Sequence, residues 1–175
     1  MRELFTIDLK DYDPNAPVRK RPSARAIILN KDVIALIYAS NKGYFKFPGG
    51  GIKGDESPID ALIRETREES GMEVIPESIS EFGIVNRRQK SSKEDYIFEQ
   101  TNYYYLCDVT EKIGAQNLDD YELEDGFELR FVDVRTAINT NKEFSDHFDV
   151  TGDLFDKVMS DRERKVLEII LEELT

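Results

Sequence analysis

Residues 50–72 read GGIKGDESPIDALIRETREESGM, and this stretch decides how the chain is understood. Ser57 supplies an N-cap hydroxyl, Pro58 suits the first helical position, and Asp60 favours the first turn. Ile59, Leu62 and Ile63 form a short apolar stripe, and Gly71 stands where a helix gives way to a left-handed residue. A helix from about 58 to 70 follows. On it, Glu65, Glu68 and Glu69 fall at i, i+3 and i+4, so they project from one face within one turn. Three carboxylates held so close repel one another. Arg64 and Arg67 relieve part of this, but a hard divalent cation with a preference for oxygen is the more natural partner. Taken alone, the same turn also describes an ordinary solvated helix surface.

What precedes the helix shifts the balance. Tyr44–Phe47 reads as a short aromatic strand running into Pro48-Gly49-Gly50-Gly51, a sequence expected to form a loop. Gly49, Gly50 and Gly51 allow backbone to approach a ligand, and a loop feeding a helix N-terminus offers free N–H groups to phosphate oxygens. A tight turn is the plainer account of the same glycines. Loop and acidic helix together describe one site for a metal ion and a pyrophosphate group.

The pattern Gly50-x5-Glu56-x7-Arg64-Glu65-x-x-Glu68-Glu69-x-Gly71 resembles the Nudix box at every fixed-identity position. Seven fixed residues at roughly 5–7 % usage each arise by chance on the order of 10⁻⁹ per start position, so the match is specific. Two variable positions depart from the family: Thr66 stands where a bulky aliphatic residue is preferred, and Lys53 where a Glu is frequent. The resemblance implies an α/β fold, the Nudix α/β/α sandwich with a mixed central sheet. It implies Mg²⁺ as cofactor, with Mn²⁺ able to substitute, held by Glu65, Glu68 and Glu69. Glu56 and Arg64 would form an ion pair locking the loop to the helix, although Arg64 can equally pair with Glu68 at i+4. The implied reaction is attack of water on a P–O–P bridge in a nucleoside diphosphate linked to another group. Nucleoside triphosphates (oxidised ones included), nucleotide sugars, ADP-ribose and dinucleoside polyphosphates are all open as substrates. The family also often draws a further base from a downstream loop. Asp119–Glu128 is the candidate segment, with Glu124 first, Glu128 second and Glu122 third, set against a merely solvated acidic loop.

Outside the box, strand-like composition marks 4–9, 24–29, 33–38, 79–86, 96–109 and 128–134, with Asn30-Lys31-Asp32 as a hairpin turn. A C-terminal helix over about 161–174 carries Val166, Ile169, Ile170 and Leu174 on one face and is expected to pack on a single domain covering 1–175. The formal net charge of −12 disfavours binding to duplex nucleic acid. A nucleotide-type small molecule, rather than a nucleic-acid polymer or a membrane, is the expected partner, and a homodimer is left open. The one cysteine, Cys107, excludes an intramolecular disulfide and a multi-cysteine zinc site and reads as a buried thiol. Met1–Leu9 lacks the apolar core of a signal peptide, and no apolar run nears the ~20 residues that span a bilayer, so a cytoplasmic protein is expected. Tyr44, Phe45 and Phe47 could stack on a base but read more simply as core. At least one of Tyr103, Tyr104 and Tyr105 is expected to face a cleft or solvent. His147 has no companion at ligand spacing. The competing function is a nucleotide-sensing Nudix-fold protein without hydrolysis, which would have no need of Glu65, Glu68 and Glu69.

Overall fold

The acidic helix begins and ends as its sequence dictates. In the computed structural model, which describes residues 1–31, 33–92, 94–148 and 153–174, the Ser57 side chain accepts from the Asp60 N–H, and Gly71 closes the helix at φ 72°. Asp32, in the expected hairpin turn, lies outside the described residues. The strands on either side of it pair antiparallel, Asn30 opposite Val33.

In chain order the elements are β1 (Glu3–Asp8), β2 (Val18–Lys20), β3 (Ser23–Ile27), β4 (Leu29–Asn30), β5 (Val33–Ala39), β6 (Tyr44–Lys46), β7 (Gly49–Gly51), α1 (Pro58–Ser70) and β8 (Met72–Val74). After a 3₁₀ turn at Pro76–Ser78 come β9 (Ser80–Lys90), β10 (Ile97–Leu106), β11 (Val109–Ile113), α2 (Asp120–Asp125), β12 (Phe127–Asp133), α3 (Val134–Asp146) and α4 (Leu154–Leu174). The main sheet runs β1-β9-β10-β3-β7, with β2 also pairing β10. It is mixed: β10 lies antiparallel to β9 but parallel to β3. A second sheet, β12-β5-β4 with β6 on β5, is antiparallel.

Alternation along β3 and just beyond it divides the core. Ala24, Ala26 and Ile28 pack towards Ala61 and Leu62 of α1, where the small alanines let the helix approach. Ile27 belongs to the opposite layer, with Phe45, Phe47 and Tyr104 against Val134 and Ala137 of α3 and Val166, Leu167 and Ile170 of α4. Helices thus cover both faces of the strands, the α/β/α arrangement with a mixed central sheet. Thr66 is fully buried, and its hydroxyl has no hydrogen-bond partner among the described residues. Among the described residues no helix is long and apolar enough to cross a membrane.

Besides the short strands β2, β8 and β11, which the sequence reading did not include, the structure departs from it in four places. Gly49–Gly51, expected as a loop, is a strand pairing with Ser23–Arg25, because glycine at φ 136° can hold an extended edge that a side chain could not. The acidic segment contains a helix, α2, fastened by a capping box between Asp119 and Glu122. Helix α3 was not foreseen; Asp133 caps it by accepting from the Thr136 N–H. The last helix begins at Leu154, upstream of the expected 161, and buries Val158, Ser160, Arg162 and Glu163 as well as Val166 and Ile170.

Candidate active site

Three buried carboxylates converge beneath β7. Glu65 and Glu69 come from α1 and Glu122 from α2, with one oxygen of each within 4.8 Å of the others. Their exposures are 7 %, 0 % and 3 %, levels at which an ionised group requires partners. The segment before α2 is stapled to the end of α1: Asn117 N–H donates to the Glu68 carbonyl at 2.8 Å, and Gln116 Nε2 to the Glu69 carbonyl at 2.5 Å. Those bonds carry Glu122 over the acidic face of α1.

The glycines make room for this cluster. A Cβ on Gly50 would fall on the Glu65 carboxylate, and one on Gly49 would fall on the Ala24 carbonyl. The Gly49 N–H donates to Glu69 Oε2 at 2.9 Å.

Arg64 serves five acceptor oxygens on four residues with one fork. Nε and Nη2 grip the two oxygens of Glu56 at 2.8 Å each, Nη1 reaches Glu65 and, at 3.1 Å, Glu68, and Nη2 also donates to the Gly51 carbonyl at 3.1 Å. Both pairings left open by the sequence therefore coexist. Hydrogen bonding from Arg64 holds the Glu56 carboxyl down at about 2. Glu69 is balanced differently. Burial raises its carboxyl above the ordinary value, while Lys46 and then Arg25 pull it back. Lys46 Nζ lies 2.8 Å from Glu69 Oε1 and 4.1 Å above the centre of the Phe127 ring. Glu122 accepts from the Tyr121 hydroxyl at 2.9 Å and from its own cap, the Asp119 N–H, at 2.8 Å; among the described residues no ion pair reaches it. Arg64 and Lys46 touch this trio and Arg25 acts on Glu69 through space, but Arg64 is shared with Glu56 and Glu68, so three cations face five carboxylates. Clustered hard oxygen donors with uncompensated charge suit a divalent ion of the Mg²⁺ or Mn²⁺ kind.

The remaining expected site residues are placed as follows. Glu68 is at the margin, 27 % exposed at its side chain, with Arg64 its one ion-pair partner among the described residues. Glu124 is exposed and its carbonyl, not its carboxylate, is used, accepting from Asn41. Glu128 is exposed and pairs with Arg130 at 2.7 Å. Of the three downstream acids, the one ranked third is the one brought to the cluster. The reason is helical geometry: α2 turns Glu122 inward and leaves Leu123 and Glu124 facing out. Tyr44, Phe45 and Phe47 are buried in the core, and Tyr103 is the most open of its run. Cys107 is buried, which pushes its thiol up to about 12. His147 ends α3, its Nδ1 2.9 Å from the Glu143 carbonyl. Lys46, Arg25 and Gln116 were not anticipated; the signal for Lys46 was a lone charge inside the aromatic run Tyr44-Phe45-Lys46-Phe47.

With this geometry in place, comparison with known proteins gives one consistent family. The model of the NUDIX domain matches residues 19–151. Among curated proteins, an RNA pyrophosphohydrolase of Thioalkalivibrio sulfidiphilus is 40 % identical over 68 residues, 38 % of this chain and 34 % of that one. One from Pseudomonas putida is 46 % identical over 55 residues, 30 % of this chain and 34 % of that one. The chain therefore spans about a third of the length of the curated relatives it matches. Among solved structures, a NUDIX hydrolase from Nitrosomonas europaea superposes with a TM-score of 0.55 at 16 % identity, covering 84 % of this chain and 91 % of that one. A MutT NUDIX hydrolase from Burkholderia pseudomallei gives 0.51 at 17 %, covering 82 % and 97 %. At these identities the likeness is one of fold.

Proposed function

This chain belongs to the NUDIX domain family, and on that premise we propose that it hydrolyses the pyrophosphate bond of a nucleoside diphosphate linked to another group, with Mg²⁺ as cofactor. The observation that carries this reading is the buried trio Glu65, Glu69 and Glu122, which with Glu56 and Glu68 brings more negative charge than Arg64, Lys46 and Arg25 offset. Glu65, Glu69 and Glu122 would hold the cation, with Glu68 reaching it from the margin. A divalent cation supplies charge neutralisation for the phosphoryl oxygens and acidifies the attacking water. Arg64, through Glu56 and the Gly51 carbonyl, keeps the glycine strand against α1, so that Gly49, Gly50 and Gly51 present backbone to the phosphates.

The second reading, favoured by the relatives named RNA pyrophosphohydrolase, is that the group beyond the pyrophosphate is an RNA chain with a 5′ triphosphate. The net charge of −12 argues for a short or single-stranded end rather than a duplex.

The test is a substrate panel of nucleoside triphosphates, ADP-ribose, a nucleotide sugar, a dinucleoside polyphosphate and 5′-triphosphorylated RNA, each with Mg²⁺ and with EDTA. Cleavage of at least one member at a P–O–P bond, lost in EDTA, is expected. Mg²⁺ should also raise the melting temperature relative to EDTA, since a ligand at a hundredfold excess over Kd adds about 2.7 kcal/mol to the folded state. Tight nucleotide binding without cleavage anywhere on the panel would make the protein a sensor instead.

A further inference from the structure

We propose that Lys46 is the cation that stands in for the metal at Glu69, holding this carboxylate in its ligating position and giving it up when a divalent ion arrives. The inference rests on reading Glu69 as a metal ligand. Glu69 has no exposure to water, and a buried carboxylate without a counter-charge is strongly disfavoured. Both of its oxygens are engaged, Oε1 by Lys46 Nζ at 2.8 Å and Oε2 by the Gly49 N–H at 2.9 Å. Each oxygen keeps a second lone pair for a cation, but a divalent ion on this carboxylate and the Lys46 ammonium beside it repel one another.

The two donors differ in freedom. The Gly49 N–H points out of the ladder to Glu69, but its backbone is held by the pairing of β7 with β3, where Gly49 lies opposite Arg25. Lys46 ends in an ammonium on a flexible four-carbon stem. It also has a second attraction at hand, the face of the Phe127 ring 4.1 Å from Nζ, and such a face holds an ammonium best when water is excluded. Lys46 is therefore the partner that yields. It acts through Glu69 as a positioning residue: it offsets burial in the metal-free protein and weakens metal binding by the same contact, as reciprocity between two ligands of one group requires.

The experiment compares wild type, Lys46→Gln and Lys46→Arg in two measurements, melting in EDTA and Mn²⁺ affinity by electron paramagnetic resonance. Gln keeps an N–H donor for Oε1 without the charge, and Arg keeps the charge. Lys46→Gln should melt lower in EDTA, bind Mn²⁺ about tenfold more tightly, and gain more melting temperature from Mn²⁺ than wild type; tenfold lies within the usual span of such couplings. Lys46→Arg should track wild type. A Lys46→Gln protein with unchanged or weaker Mn²⁺ affinity overturns the proposal, as does one that stays unfolded with Mn²⁺ present. One that folds only with Mn²⁺ supports it. Failure of the wild type itself to bind Mn²⁺ would instead remove the metal site, so the two failures are told apart within one titration.

Discussion

Glu69→Gln is expected to lower kcat on the order of 10³-fold and to lower stability as well. The rate loss follows from the cation's share in neutralising transition-state charge, several kcal/mol, at 1.36 kcal/mol per factor of ten. An amide at 69 would still accept from the Gly49 N–H but would bring no charge to the cation. The stability loss has a separate cause. Lys46, 6 % exposed at its side chain, loses the carboxylate 2.8 Å away, and breaking a buried pair by removing one partner costs about 3–5 kcal/mol. Glu68→Gln is the contrast: its half-open carboxylate touches Arg64, so activity should fall with little change in melting. Single-turnover kinetics and thermal melts in EDTA separate the two effects. A Glu69→Gln protein that melts as wild type does and keeps its kcat would remove Glu69 from both roles.

Glu122→Gln is expected to slow turnover by about 10²–10⁴-fold, the range for losing a positioned acid–base or ligand group, and to raise the Mg²⁺ concentration needed for half-maximal rate. Glu124→Gln and Glu128→Gln should stay within a fewfold of wild type, since the first is exposed and the second points to Arg130. The Asp119 N–H and the Tyr121 hydroxyl use different oxygens of Glu122, so a Gln at 122 can keep one of these bonds through its carbonyl oxygen, and that to Asp119 would preserve the cap of α2. Mg²⁺ titrations of rate for the three variants decide the matter. If Glu124→Gln proved the most damaging, α2 would have to turn over in the working enzyme. If all three were near wild type, the downstream segment would have no part in the reaction.

What the sequence made legible was local. Ser57, Pro58, Asp60 and Gly71 are punctuation that a helix reads from its neighbours, and the structure follows it. The Arg64–Glu68 pair was legible in the i,i+4 spacing, whereas the Glu56–Arg64 pair, which bridges the loop, came from the family resemblance; one fork of nitrogens serves both. The glycine strand misled for a physical reason: three glycines carry no strand propensity, and what makes them a strand is the ladder to Ser23–Arg25, a contact across more than twenty residues. The same holds for Glu122. Six acids in the ten residues from Asp119 to Glu128 are indistinguishable by composition. Choosing among them needs the rotation of α2, and that depends on Gln116 and Asn117 meeting the end of α1. Lys46 was hidden because a charge in an aromatic strand has no local partner; its carboxylate lies on a helix one strand and one turn later.

The most direct measurement of the central claim, that Glu65, Glu69 and Glu122 form a divalent-cation site, is the anomalous scattering of crystals soaked in Mn²⁺. The predicted result is a peak about 2.1 Å from carboxylate oxygens of this trio, with Glu68 free to join and Lys46 Nζ displaced from Glu69. A Mn²⁺ peak elsewhere, or none at millimolar metal, with the Lys46–Glu69 pair intact, would contradict it.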